Sequence, residues 1–75
     1  MKTYKERLKD LRTDHDKTQK EIGELLETTQ QQYNKYEKGN QELPIRHLTT
    51  LADYYETSTD YILGRTNIRK PYPRA

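Results

Sequence analysis

The sequence predicts an all-α fold, five short helices followed by a flexible basic tail. Three observations carry that expectation. Apolar residues recur at spacings of three and four, hydroxyl side chains stand at the starts of those segments, and glycines stand near their ends. No alternating strand pattern, internal repeat or second domain is visible in the 75 residues. The expected domain runs over residues 1–64 and the tail over 65–75.

In the first helix, from about Thr3 to Asp14, Tyr4, Leu8 and Leu11 share one face. Lys5, Glu6, Lys9, Asp10 and Arg12 cover the rest, and a polar break spans Thr13–Lys17. Thr18 and Glu21 then form a capping box, in which a hydroxyl and a carboxylate satisfy the first free backbone N–H groups. Ile22, Leu25 and Leu26 form the buried face of the second helix. Gly23 inside it costs roughly 1 kcal/mol against Ala, which implies close approach of another helix at that point.

Glu27–Thr28 makes the turn, and Thr29 with Gln32 forms a second capping box opening the third helix. Tyr33 and Tyr36 face inward, leaving Gln30, Gln31, Asn34, Lys35 and Lys38 toward solvent; Gly39–Asn40 is a C-terminal cap. Pro44 fits the first turn of a fourth helix, whose inner face is Ile45, Leu48, Leu51, Ala52 and Tyr55. Ser58 caps a short fifth helix carrying Tyr61, Ile62 and Leu63, and Gly64 closes it. Beyond it, two prolines and four unopposed cations predict the tail.

Composition narrows the function classes. No Cys is present, so a disulfide framework, a thiolate metal site and a cysteine nucleophile are all excluded, and a reducing cytoplasm is expected. No apolar run approaches the roughly 20 residues of a membrane span. His15 and His47 lack ligand spacing, and Ser58 is explained by its cap. With no paired-carboxylate pocket and no phosphate-cradling glycine loop, the chain is not expected to be an enzyme or to hold a metal or cofactor.

Net charge is +2, but residues 65–75 supply four cations and no acid, which leaves the other 64 residues with 10 basic and 12 acidic groups. Distribution matters more than the total. Lys17, Lys20, Lys35 and Lys38 cluster in the stretch Thr18–Gly39 and just before it, whereas residues 41–64 hold Arg46 against Glu42, Asp53, Glu56 and Asp60. Such a molecule would be dipolar and would approach DNA with its basic side forward.

The second and third helices have the dimensions of a helix-turn-helix, whose second helix enters the major groove N-terminus first. A glutamine amide offers a donor and an acceptor together, matching adenine N6 and N7. Gln30, Gln31 and Gln32 at the start of the third helix are therefore the expected base readers. Flanking Thr18, Thr29, Asn34, Lys38 and Asn40 suit phosphate oxygens.

Thr18 to Tyr61 resembles the Cro and phage-repressor type of helix-turn-helix regulator, also called the xenobiotic-response-element (XRE) family. The likeness runs through TQKEIGELL, TTQQQYNKYEKG, the Pro44–Leu48 spacing, LADYY at Leu51–Tyr55 and STDYILG at Ser58–Gly64. It implies a compact five-helix, lambda-repressor-like domain that binds double-stranded DNA, usually as a homodimer on a paired operator, and regulates transcription, here as a repressor. It also implies Gln19 on a phosphate, Lys35 beside the glutamines as a base reader, and a structural pair of Arg12 with Glu37. The dimer surface it implies is the fifth helix and its flanks, near Thr57 to Ile62. Two positions depart from the pattern: Gly23 stands where Ala is usual, and Glu27 where the turn often has Gly. The acidic 41–64 segment leaves one alternative, an antitoxin-like or adaptor module that docks a protein partner.

Overall fold

Five helices appear in the order expected, with no strand among the described residues: α1 (Tyr4–Asp14), α2 (Gln19–Leu25), α3 (Gln30–Lys38), α4 (Ile45–Tyr54) and α5 (Thr59–Ile62). This computed structural model describes residues 2–73. Met1 of the expected domain, and Arg74 and Ala75 of the expected tail, lie outside them.

The helices are too short to persist alone, because nucleation is costly and each extra residue gains little. Their ends explain why they form. Thr3, Thr18, Thr29 and Ser58 each accept a hydrogen bond from the backbone N–H three residues on, and Thr3–Glu6 and Thr18–Glu21 are complete reciprocal boxes. Each helix closes through a left-handed residue: Asp16, Glu27, Gly39, Glu56 and Gly64. After α2, for example, Thr28 N–H reaches Gly23 O at 2.8 Å and Glu27 N–H reaches Glu24 O at 3.0 Å, a Schellman closure.

The second box expected at Thr29 is only half formed. The Thr29 hydroxyl accepts from Gln32 N–H, but the Gln32 amide turns away and donates to Gln41 Oε1 at 2.8 Å. Pro44 also shifts by one position, standing as the N-cap of α4 rather than within its first turn. Ile45, expected inside, is 78% exposed. Three-residue steps fall short of a helical turn by about 60° each, so the 45–48–51 stripe winds around the helix and leaves Ile45 outside when Leu51 is central. Leu25 likewise borders the α2 face and is half-exposed, whereas Ile22 and Leu26 are buried.

Leu8, Leu11, Ile22, Tyr33, Leu51 and Ile62 fill the centre. The α2 helix packs on α3, α1 on both α3 and α5, and α4 on α5. Gly23 has the role its position implied: a Cβ there would stand 3.1 Å from Thr29 O and 3.3 Å from Gln30 N. The absent side chain lets the start of α3 approach the middle of α2, which fixes where that start points.

Arg7 is buried on α1, and the sequence reading overlooked it. Its guanidinium donates to Tyr61 O (2.8 Å), Thr66 O (3.1 Å) and Asn67 Oδ1 (2.8 Å), and it lies 3.9 Å from the Tyr61 ring centroid. Position 7 lies one helical turn from both Tyr4 and Leu11, within the apolar stripe, and that spacing was the available signal. Residues beyond 65 make further contacts with the helices. Thr57 donates to Arg69 O (2.6 Å), Arg69 pairs with Asp14 (3.0 Å), and the Tyr72 hydroxyl donates to Asp60 (2.9 Å).

Arg7→Ala should lower unfolding free energy by about 2–3 kcal/mol, since charged hydrogen bonds to buried acceptors are lost. Denaturant unfolding measures the loss, and hydrogen exchange should show residues 66–69 losing protection first. At the turn, Glu27 holds φ 57°. A side chain in that region costs about 1–2 kcal/mol, so Glu27→Gly should raise the urea midpoint, with the gain kept below that figure by the entropy of glycine.

Candidate nucleic-acid interface

The start of α3 presents the side chains the sequence singled out. Gln30 and Gln31 are exposed, and neither amide has a hydrogen-bond partner among the described residues. The first N–H groups of the helix point the same way, and Thr29 fixes its entry angle through the bond to Gln32 N–H. Lys35 and Lys38 are exposed along the same helix, with Asn40 just beyond it and Thr18 and Thr29 exposed at the two N-caps. Among the described residues, Lys17, Lys20, Lys35 and Lys38 form no ion pair, whereas Lys2, Arg12, Arg65 and Arg69 do. Four unpaired cations thus lie on the helix-turn-helix and the connection leading into it, and Lys5, Lys9, Arg46 and Lys70 are unpaired elsewhere.

Three of the expected contact residues turn elsewhere. Gln32 bridges to Gln41, as described. Gln19 is half-buried, and its amide N–H₂ donates to Asn34 Oδ1 (2.9 Å) and to Glu37 Oε1 (3.2 Å). Both N–H bonds of Gln19 and the carbonyl of Asn34 are thus occupied within the protein. What remains for an outside ligand is the Asn34 amide N–H₂, the kind of donor a phosphate oxygen accepts from.

Glu37 is the hub beneath this face. Arg12 binds it through Nε at 2.7 Å and Nη2 at 3.2 Å, and sends Nη1 to Lys17 O at 3.0 Å. The pair is largely removed from solvent, with side-chain exposures of 13% and 5%. Burial alone would raise the Glu37 carboxyl. The Arg12 hydrogen bonds, the nearby Tyr33 hydroxyl, Gln19 and the Arg12 charge overcome that and hold it below the usual carboxylate range. The Tyr33 hydroxyl is buried without a partner at normal hydrogen-bond geometry, and this burial raises its own pKa far above the ordinary tyrosine value. Tyr33 and Tyr36 face inward as expected, their rings 6.4 Å apart and edge-on.

The stretch Thr57–Ile62 offers less surface than a dimer contact there would suggest: Thr57, Ser58 and Ile62 are buried against the rest of the domain. Exposed apolar atoms lie instead at Ile45 and Leu63, along a groove also lined by Tyr4, Leu43 and Leu48. No group of three or more potential metal ligands occurs among the described residues, and no helix there is long and apolar enough to cross a membrane.

Comparison with known proteins agrees with this architecture. A family model described as helix-turn-helix matches residues 8–62. An uncharacterized HTH-type transcriptional regulator of Bacillus subtilis, YobD, is 35% identical over 68 residues, covering 91% of this chain and 61% of its own length. A second B. subtilis protein, the SPbeta prophage-derived uncharacterized HTH-type transcriptional regulator YonR, is 38% identical over 64 residues, covering 85% of this chain and 59% of its own. The chain therefore spans about three-fifths of the length of these relatives. No solved structure matches it significantly.

Because the Glu37 carboxyl is depressed in the folded state, its contribution to stability is complete above the ordinary value of 4.5 and is lost as pH falls through the lower folded value. Acid titration of unfolding free energy should show that decline in the wild type. Glu37→Gln should flatten it and cost about 3 kcal/mol at neutral pH, the scale for leaving a buried charge without its partner.

Proposed function

Since the chain belongs to the helix-turn-helix family of the Cro and phage-repressor (XRE) type, we propose that it is a sequence-specific transcriptional repressor that binds a paired operator as a homodimer. The family is one of non-enzymatic, DNA-binding regulators of transcription. The observation that carries the finer reading is the pair Gln30 and Gln31, exposed and unpartnered at the start of a helix whose base is fixed. Every other amide on α2 and α3 has some internal engagement through Gln32–Gln41 or Gln19–Asn34.

Gln30 and Gln31 read bases, with Lys35 one turn further along; Gln32 is the weakest of the four, because its amide must leave Gln41 to reach a base. Thr18, Thr29, Asn34, Lys38 and Asn40 meet phosphates. Gln19 serves mainly by orienting Asn34. Adenine-rich positions dominate each half-site, since glutamine amides match adenine edges. Half-sites lie about one helical turn apart, and the apolar groove at Ile45 and Leu63 gives a second copy surface to cover. The protein acts in the cytoplasm beside its DNA.

The alternative, docking of a protein partner on the acidic side, would have Glu42 and Glu56 as its free anions. Asp60 accepts from Tyr72 and faces Arg65 at 4.0 Å, so it is not available as a free anion.

In vitro selection from a random pool should return a two-fold symmetric site. On that duplex, Gln30→Ala and Gln31→Ala should each lose about 1–3 kcal/mol and relax preference at one base pair. Lys38→Ala should weaken all sequences equally and reduce the salt slope by about 1. If the double glutamine variant separates specific from random DNA as well as the wild type does, base reading by these residues is wrong.

A further inference from the structure

The apolar groove formed by Tyr4, Leu43, Ile45, Leu48 and Leu63 encloses about 330 Å³, and Glu42 is the one charged residue in its lining. Ile45 and Leu63 leave much of their apolar surface open there. Glu42 is exposed and has neither an ion pair nor a hydrogen bond among the described residues. The groove is thus an apolar socket with a single free anion.

A projection of the opposite character stands on the same side of the molecule. Ile68 is 68% exposed, yet the chain on both sides of it is held. Arg7 donates to Thr66 O and to Asn67 Oδ1, Thr57 donates to Arg69 O, and the Arg69 guanidinium pairs with Asp14. Lys70, two residues beyond Ile68, is exposed and unpaired among the described residues. The result is an apolar side chain followed by a free cation on an ordered backbone, and neither residue lines the groove of its own chain. Socket and projection are close neighbours. Leu63 of the socket precedes Ile68 by five residues, a reach of at most about 17 Å. Tyr4 of the socket lies one turn of α1 from Arg7, the residue that holds Asn67 next to Ile68.

We propose that residues 68–70 are the arm of a two-fold dimer, in which Ile68 of each copy fills the groove of the other and Lys70 meets Glu42 at its rim. The inference rests on the homodimer reading above and names the residues that make the contact. A two-fold interface uses the same patch on both copies, so that patch must carry both halves of every contact. This one carries an apolar projection beside an apolar socket, and a free cation beside a free anion. Each dimer then contains the contact twice. Because Arg7, Thr57 and Asp14 already order the chain around Ile68, association costs less entropy than capture of a free tail would.

Sedimentation equilibrium of the full chain over a concentration series at low salt tests this, alone and with the duplex recovered by selection. Ile68→Asp should raise the dimer dissociation constant at least about tenfold, since two sockets are emptied in each dimer. Lys70→Glu and Glu42→Lys should each raise it about fivefold, and the double reversal in one chain should return it close to the wild-type value, because each facing pair is again of opposite charge. The three positions are exposed, so the unfolding midpoint of every variant should stay at that of the wild type. If the wild type dimerises, free or on duplex, and Ile68→Asp dimerises equally well, another surface makes the dimer: the arm is overturned and the homodimer reading stands. Single charge reversals that weaken the dimer without rescue by the double reversal overturn the pairing of Lys70 with Glu42. A wild type that stays monomeric both free and on duplex overturns the arm together with the homodimer. A dimer that depends on Ile68 in a protein that binds no duplex retains the arm and rejects the DNA reading.

Discussion

The Arg12–Glu37 pair is the constraint on which the other positions depend. One carboxylate near the end of α3 collects two bonds from α1 and one from the first residue of α2, and Arg12 adds a bond to the backbone just before α2. Desolvation makes such a pair a poor source of net stability, and an apolar replacement could equal it. An apolar contact would not define direction. Nε and Nη2 meet Glu37 side by side, so α1 and α3 are held at one rotation about their axes as well as at one distance. The rotation of α3 decides which residues face out, so the pair acts on Gln30 and Gln31 without touching them.

Gly23 and the helix ends complete that control. The pair fixes the C-terminal half of α3, and the close approach of Thr29 to Gly23 fixes its N-terminus. Helices this short have no intrinsic persistence, and the structure compensates by terminating each one sharply. Asp16, Glu27 and Glu56 accept left-handed backbone where glycine would be easier. A chain with three such positions has traded some stability for fixed turns. At Glu27 the trade also places an acid on the turn beside the proposed interface.

Features set by local chemistry were readable in the sequence. Thr18–Glu21, Thr29, Gly39 and Ser58 act within a few residues of chain, so type and spacing suffice to locate them, and the inward Tyr33 and Tyr36 follow from helical periodicity. Features set by partners distant in sequence were not. Gln32 has two satisfactory destinations, its own cap and Gln41, and only the path of the loop decides between them. Gln19 is polar and stands at a helix start, which suits a phosphate contact, but Glu37 lies 18 residues on and captures its amide. Arg7 is of a residue type seldom buried without partners, and its acceptors are 54 to 60 residues away. In each case sequence identifies the donor, and tertiary structure selects the acceptor.

That division bears on how the proposed interface would achieve specificity. A glutamine amide discriminates adenine only when its plane is presented at a defined angle, because its donor and acceptor must meet N7 and N6 together. A free side chain can rotate, so the precision has to come from the backbone carrying it. Here the backbone of α3 is held at its first residue by Thr29 and Gly23 and in its last turn by Glu37. The neighbouring amides, Gln32 and Gln19, are occupied by internal partners. Rigid anchoring leaves two free amides in fixed register, and occupied neighbours lower the number of alternative contacts a wrong sequence could recruit. Weak overall charge fits the same logic: a domain with little non-specific attraction to phosphates depends more heavily on matched base edges for its affinity.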